Sequence, residues 1–138
     1  MATTKITVEA FINASNEKVW QAWTEPKHIT KWNFASDDWQ CPSASNDLRV
    51  GGKYSARMEA KDGSFGFDFE AVYDEVIPNK KISYTMTDGR VATTTFNDLD
   101  GKTKVATTFD AEQENSIELQ QQGWQAILDN FKKYAERL

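Results

Sequence analysis

An α+β fold is predicted, with a curved antiparallel sheet of about six strands wrapped around one long C-terminal helix. Three observations predict it. The last two dozen residues carry a single broad apolar stripe at helical spacing. Most of the chain before them reads as strands joined by tight turns, and strands so joined must be antiparallel neighbours. Two short helical segments sit directly after the first strand, an order few folds share.

The C-terminal helix is placed over Asn115–Leu138. Apolar residues fall at Ile117, Trp124, Ile127, Leu128, Phe131, Tyr134, Ala135 and Leu138, with Glu, Gln, Asp and Lys on the other faces. Asn115 followed three residues later by Glu118 has the pattern of a capping box. So wide an apolar face must be covered, and the sheet is what remains to cover it. Two residues interrupt the stripe. Gln121 stands where the seam through Trp124 and Leu128 calls for an apolar side chain, and Gly123 costs about 1 kcal/mol relative to Ala in a helix. Either the upper half of the helix is frayed and exposed, or it roofs a cavity into which Gln121 points.

From the start of the chain, Ile6, Val8, Ala10 and Ile12 alternate with polar residues over Lys5–Asn13, giving a strand. Ser15 is an N-cap for a short helix Asn16–Thr24, whose inner stripe is Val19, Trp20 and Trp23. Pro26 ends that helix and opens a second one, Lys27–Trp32. Between Asn33 and Asp47 no periodicity survives, so this is read as a long loop; Phe34 and Trp39 argue that it packs down. Gly51-Gly52 reads as a bend into a strand Lys53–Ala60, and Asp62-Gly63 as the tip of a hairpin. Phe65, Phe67, Phe69, Ala71 and Tyr73 then alternate with polar residues in the clearest strand of the chain. Lys81–Thr87, Arg90–Asn97 and Lys102–Phe109 complete the meander, linked at Asp88-Gly89 and Asp98–Gly101.

At 138 residues the chain reads as one domain, 1–138, able to bury about two thirds of its unfolded surface. Five Trp, eight Phe and four Tyr supply a wide interior. A net charge of −5 excludes the basic surface that nucleic acid or an anionic membrane would need. No apolar run reaches spanning length, and residues 1–5 lead straight into a strand without a signal-peptide core. Cys41 has no partner for an internal disulfide, which fits a reducing, cytoplasmic location.

Several segments carry a family resemblance. They are Ile6-Thr7-Val8-Glu9, Ala14-Ser15-Asn16-Glu17-Lys18-Val19-Trp20-Gln21-Ala22-Trp23-Thr24, Pro26-Lys27-His28-Ile29-Thr30-Lys31-Trp32 and Asp47-Leu48-Arg49-Val50-Gly51-Gly52-Lys53-Tyr54. Tyr73-Asp74-Glu75-Val76-Ile77-Pro78-Asn79-Lys80-Lys81-Ile82 and Gly123-Trp124-Gln125-Ala126-Ile127-Leu128 continue the series. Together they resemble the START-like (SRPBCC) superfamily of helix-grip proteins. Within it they resemble the branch related to the activator of the 90-kDa heat-shock chaperone's ATPase. The resemblance implies a helix-grip fold over the whole chain. It also implies either a small hydrophobic ligand, lipid- or polyketide-like, or a chaperone or other protein partner. Some members of the superfamily cyclise or hydrolyse their ligands.

Residue chemistry for catalysis is sparse. His28 is the single histidine, and its place near the start of a short helix suits packing or solvent better than a catalytic role. One His and one Cys do not make a soft-ligand metal site, and Asp37-Asp38 lacks calcium-loop spacing. No cofactor, metal or catalytic residue is assigned. Arg57 and Glu59, with Asp68 and Glu70 on the next strand, leave two registers open. If the aromatic face is concave, these charges are a solvated outer face; if it is convex, Arg57, Glu59 and Asp68 lie inside with Asn33, Asp38 and Gln121 as a binding or acid–base cluster.

The expected function is binding of a small hydrophobic molecule in a cavity between sheet and helix. Its wall is expected to draw on Trp32, Phe34 and Trp39, on Phe67, Phe69, Tyr84, Met86 and Phe96 from the sheet, and on Gln121, Trp124 and Leu128 from the helix. Phe34–Trp39 is expected to cover the mouth. An interaction module acting on a chaperone or other protein, and a cofactor-free enzyme using an interior carboxylate, are the alternatives.

Overall fold

The structure, a computed structural model, describes residues 4–138, so the expected direct lead-in at 1–3 lies outside the described residues. Strand β1 (Lys5–Ile12) is followed by helices α1 (Asn16–Thr24) and α2 (Pro26–Trp32). Next come β2 (Trp39–Asn46), β3 (Lys53–Ala60), β4 (Gly66–Ile77), β5 (Lys81–Met86), β6 (Val91–Asp98), β7 (Thr103–Asp110) and helix α3 (Ile117–Arg137). The strands form one curled antiparallel sheet in the order β1-β7-β6-β5-β4-β3-β2. Every pairing but β1 with β7 joins strands adjacent in sequence.

The seventh strand, β2, corrects the reading of 33–47 as a loop. Its sequence, Trp39-Gln40-Cys41-Pro42-Ser43-Ala44-Ser45-Asn46, is largely small and polar, and it pairs with β3 alone. An edge strand without one fully covered face needs no apolar alternation, so the period-two signal is missing. Pro42, which has no N–H to give, is tolerated at such an edge, and the register shifts between Gln40 and Ser43 around it.

The sheet's inner face is set by strict alternation. Ile6, Val8, Ala10 and Ile12 of β1 point in, as do Tyr54, Ala56, Met58 and Ala60 of β3 and Val105 and Phe109 of β7. The aromatic side of β4 belongs to this face, passing from buried Tyr73 and Ala71 to exposed Phe67, with exposed Phe65 just before the strand. The charges therefore lie outside: Arg57 Nη1 meets Asp68 Oδ1 at 3.5 Å and Arg57 Nε meets Glu59 Oε2 at 3.6 Å on the solvated surface. The reversed register, with its interior charged cluster, does not occur.

Helix α3 fills the curl with Leu128, Phe131 and Ala135, all essentially inaccessible. Helices α1 and α2 close one end. Trp23 stacks on Trp32 at 4.9 Å, both meet Phe131 edge-on at 4.9 Å, and Phe96 meets the rings of Trp20 and Trp23. The same helix seals the free edge of β1. Gln125 Nε2 donates to the Glu9 carbonyl at 3.1 Å, Lys132 Nζ donates to the Phe11 carbonyl at 2.8 Å, and the Asn13 amide donates to Glu136 at 2.8 Å. Two of the carbonyls that this edge strand would offer to another chain are thus spent on α3.

The start of α3 differs from expectation. Ser116, not Asn115, is the N-cap, its hydroxyl accepting from the Leu119 amide at 3.1 Å. Glu112 takes the Asn115 amide at 2.7 Å, which draws Asn115 into the preceding turn. Gln121 is exposed, and so are Ile117 and Leu119, because the first turns of α3 run beyond the sheet's cover. The buried glutamine is Gln120. It accepts from the Glu112 amide at 2.8 Å and donates to the Asn115 carbonyl at 2.9 Å, lashing the β7–α3 connection. Gly123 makes no close approach either, since a Cβ there would meet nothing within 4 Å.

Two substitutions test this placement by chemical denaturation. Phe131→Ala should lose about 3–5 kcal/mol, as expected for a fully buried aromatic. Gly123→Ala should gain about 1 kcal/mol, since it removes backbone entropy at an open helical site. A destabilising Gly123→Ala would show that the glycine faces packed atoms.

Candidate ligand cavity

Above the aromatic plug the space between α3 and the sheet is not filled. A cavity of about 280 Å³ remains there, near the lower end of the roughly 300–1,000 Å³ usual for ligand pockets. Trp124, Ile127 and Leu128 of α3 form one wall, with Trp23 and Trp32 at the closed end. Opposite them stand Tyr54 and Met58 of β3, Phe67, Phe69 and Tyr73 of β4, and Ile82 and Tyr84 of β5. Trp124 is held flat against Phe109 of β7, ring centroids 3.9 Å apart. The sheet aromatics hold one another: Tyr54 stacks on Tyr84 at 6.0 Å, and Phe69 meets Tyr84 edge-on at 5.9 Å.

Polar groups in this wall are few. The Tyr54 hydroxyl accepts from Asn33 at 3.1 Å, and the Tyr73 hydroxyl donates to Asn46 at 2.7 Å. Thr94 and Thr107 spend their hydroxyls on each other, 2.7 Å apart. Arg90 is the one charged residue in the lining, and no Asp or Glu is among the described residues there. Burial pushes the Tyr54, Tyr73 and Tyr84 hydroxyls well above the ordinary phenol range. Burial likewise pushes the Cys41 thiol up to about 11, against a smaller opposing effect of its contact with the Ser43 carbonyl.

Of the residues expected at the wall, Trp32, Phe67, Phe69, Tyr84, Trp124 and Leu128 line this cavity. The other five do not. Phe96 is two residues beyond Thr94 and Met86 two beyond Tyr84, steps of roughly 7 Å along a strand. Phe96 is thereby carried into the plug beside Trp20 and Trp23, and Met86 to the buried end of β5 opposite Ala71. Gln121 points to solvent. Trp39 begins the edge strand and packs on Phe65 and Phe67 at 6.0 and 6.3 Å. Phe34 faces a separate polar groove with Asp129, Asn130 and Lys133, so the Phe34–Trp39 segment does not roof the cavity. His28 packs between helices, its Nδ1 2.5 Å from the Tyr134 hydroxyl.

Sequence reading missed Tyr54, Met58, Tyr73, Ile82, Thr94, Thr107 and Arg90. The first four share the inner alternation of their strands and follow once the register is known. The threonines look like outward residues, and Arg90 lies at a hairpin where no periodicity speaks.

A curled sheet gripping a C-terminal helix, with an aromatic cavity left between them, defines a helix-grip protein of the START-like superfamily. The chain belongs to the AHSA1 family: the family model described as activator of Hsp90 ATPase homolog 1-like protein matches residues 13–136. Among solved structures, the AHSA1-like protein from Aeromonas hydrophila is 46% identical with a TM-score of 0.91, over 97% of this chain and 93% of that one. A protein from Cytophaga hutchinsonii is 50% identical with a TM-score of 0.83, over 96% and 92%. A protein from Chromobacterium violaceum, 24% identical with a TM-score of 0.86 over 96% and 98%, shares the fold. No curated protein sequence matches the chain. No helix among the described residues is long and apolar enough to cross a membrane.

The buried hydroxyls and thiol predict loss of stability in alkali. Their folded-state pKa values are raised, so the stability they contribute is full below the unfolded values, about 8.5 for Cys and 10 for Tyr. It falls as pH climbs past those values, because the unfolded chain then releases protons that the folded one keeps. Denaturation midpoints should drop from about pH 9 upward, and Tyr84→Phe should flatten that fall. Tyrosinate absorbance near pH 10 amounting to more than the half-buried Tyr134 alone, and appearing without unfolding, would contradict the burial.

Proposed function

We propose that the chain binds a small hydrophobic molecule in the cavity between α3 and the concave face of the sheet. One observation carries this reading: about 280 Å³ of space walled by aromatic and aliphatic side chains, where a filled core would hold further apolar groups. Voids of this size are few in folded domains, and an apolar one with a handful of polar groups is the usual form of a ligand site. Membership of a START-like family agrees with it. A lipid- or polyketide-like molecule of modest size suits the wall, since flat rings can lie between Trp124 on one side and Phe69 and Tyr84 on the other. Catalysis by an interior carboxylate loses its motive, because Arg57, Glu59 and Asp68 lie on the outer face.

A second reading, docking on a chaperone or other protein, is favoured by the family's description and by one surface feature. Phe65 and Phe67, 61% and 42% exposed, form an aromatic cluster with Trp39 at the outer end of β4. A ligand site and a docking site separate cleanly under mutation, because Met58 lines the cavity while Phe65 does not.

Thermal denaturation with added butylbenzene tests the first reading. At a hundredfold excess over Kd a ligand confined to the folded state adds about 2.7 kcal/mol. The midpoint should rise for the native chain and for Phe65→Ser, and should not rise for Met58→Trp, whose indole takes up the space. No rise for the native chain, or an equal rise in Met58→Trp, would reject the cavity as the site.

A further inference from the structure

Within the cavity wall, the polar groups are distributed unequally. Tyr54 and Tyr73 are tied to Asn33 and Asn46, and Thr94 is tied to Thr107. Tyr84 and Arg90 are different. Among the described residues the Tyr84 hydroxyl has no hydrogen-bond partner, and Arg90 uses only Nε, which donates to Asp88 Oδ2 at 2.7 Å. Neither guanidinium Nη atom meets an acceptor among the described residues.

The two side chains share one patch of the wall. Tyr84 pairs with Ala92 across β5 and β6, and the Met86 amide donates to the Arg90 carbonyl at 2.7 Å, so the pairs are consecutive. Arg90 continues the inward series Ala92, Thr94 and Phe96, and both Tyr84 and Arg90 line the cavity. The neighbouring acids do not exhaust the cation. Asp88 is half exposed and occupies Nε alone, while Asp110 already accepts from the Val91 amide and from Lys5. Arg90's side chain keeps 26% of its exposure, which places it at the rim and not in the dry interior.

We propose that Arg90 and Tyr84 seat the carboxylate of an amphipathic ligand whose apolar part fills the cavity. This rests on the hydrophobic-ligand reading and narrows it to organic acids. A guanidinium offers paired N–H groups that match a carboxylate, and charge-assisted bonds of that kind are about twice as strong as neutral ones. At a partly solvated rim the desolvation cost that defeats a deeply buried ion pair is much reduced. Burial keeps Tyr84 protonated and so keeps its hydroxyl a donor. A neutral hydrocarbon would leave both groups facing the ligand unpaired.

Titration calorimetry at neutral pH and low salt, with para-butylbenzoate and the equally shaped para-butylbenzamide, tests this. The native chain should bind the acid at least about tenfold more tightly. Arg90→Gln should erase that preference, weakening the acid far more than the amide. Arg90→Lys, which keeps the charge without the fork, should retain part of the preference and controls for misfolding. Tyr84→Phe should weaken the acid several-fold more than the amide. Equal affinities in the native chain, or a preference that survives Arg90→Gln, overturns the carboxylate seat and leaves the hydrophobic cavity standing. Binding of neither compound removes the cavity reading, and this proposal with it.

Discussion

The contact on which the molecule depends is Phe131 of α3 with Trp23 and Trp32, backed by Leu128, Ala135 and the inner residues of β1 and β7. It does two things at once. It buries the apolar stripe of a helix that could not stand in water alone, and it fixes how far that helix sits from the far strands of the sheet. With α3 held against β1 through Gln125 and Lys132 and against β7 through Trp124 on Phe109, its upper half cannot also reach β3, β4 and β5. The cavity is the geometric remainder of that choice. A filled plug at one end and an unfilled space at the other come from the same straight helix in the same curved sheet.

Most of the architecture was legible because it is written in period. Alternation along β1, β3 and β4, and the stripe of α3, reach the buried set directly, and Ser15 marks the α1 cap it proves to be. What failed was unperiodic. The edge strand β2 is polar because half of it faces nothing, and the α3 cap shifted by one residue because Glu112 competes for the Asn115 amide. Gln121 shows the limit of seam arguments. Its position continues the Trp124–Leu128 line, but the sheet has ended by that turn, so the line leads out into solvent.

The cavity wall was legible in part for a related reason. Sequence gives a face, whereas a cavity also needs a position along the strand. Tyr84 and Met86 share a face, as do Thr94 and Phe96, yet one member of each pair meets the cavity and the other does not. Arg90 carries no pattern at all, being the first residue after a turn, and it is the residue that gives the wall its chemical polarity. That polarity, one cation and one free phenol in a wall whose other hydroxyls are paired with asparagines or with each other, is the kind of feature that distinguishes ligands among proteins sharing this fold.

The proposed occupant of the space beneath α3 is a hydrophobic molecule. Indole N–H resonances of the five tryptophans report on it directly, since Trp23, Trp32 and Trp124 line the cavity and Trp20 does not. Titration with butylbenzene should shift the Trp23, Trp32 and Trp124 signals along saturable curves sharing one Kd, with Trp20 unmoved. Shifts confined to Trp39, or none in Trp32 and Trp124, would mean that the molecule binds at the outer aromatic cluster or not at all, and would contradict the account.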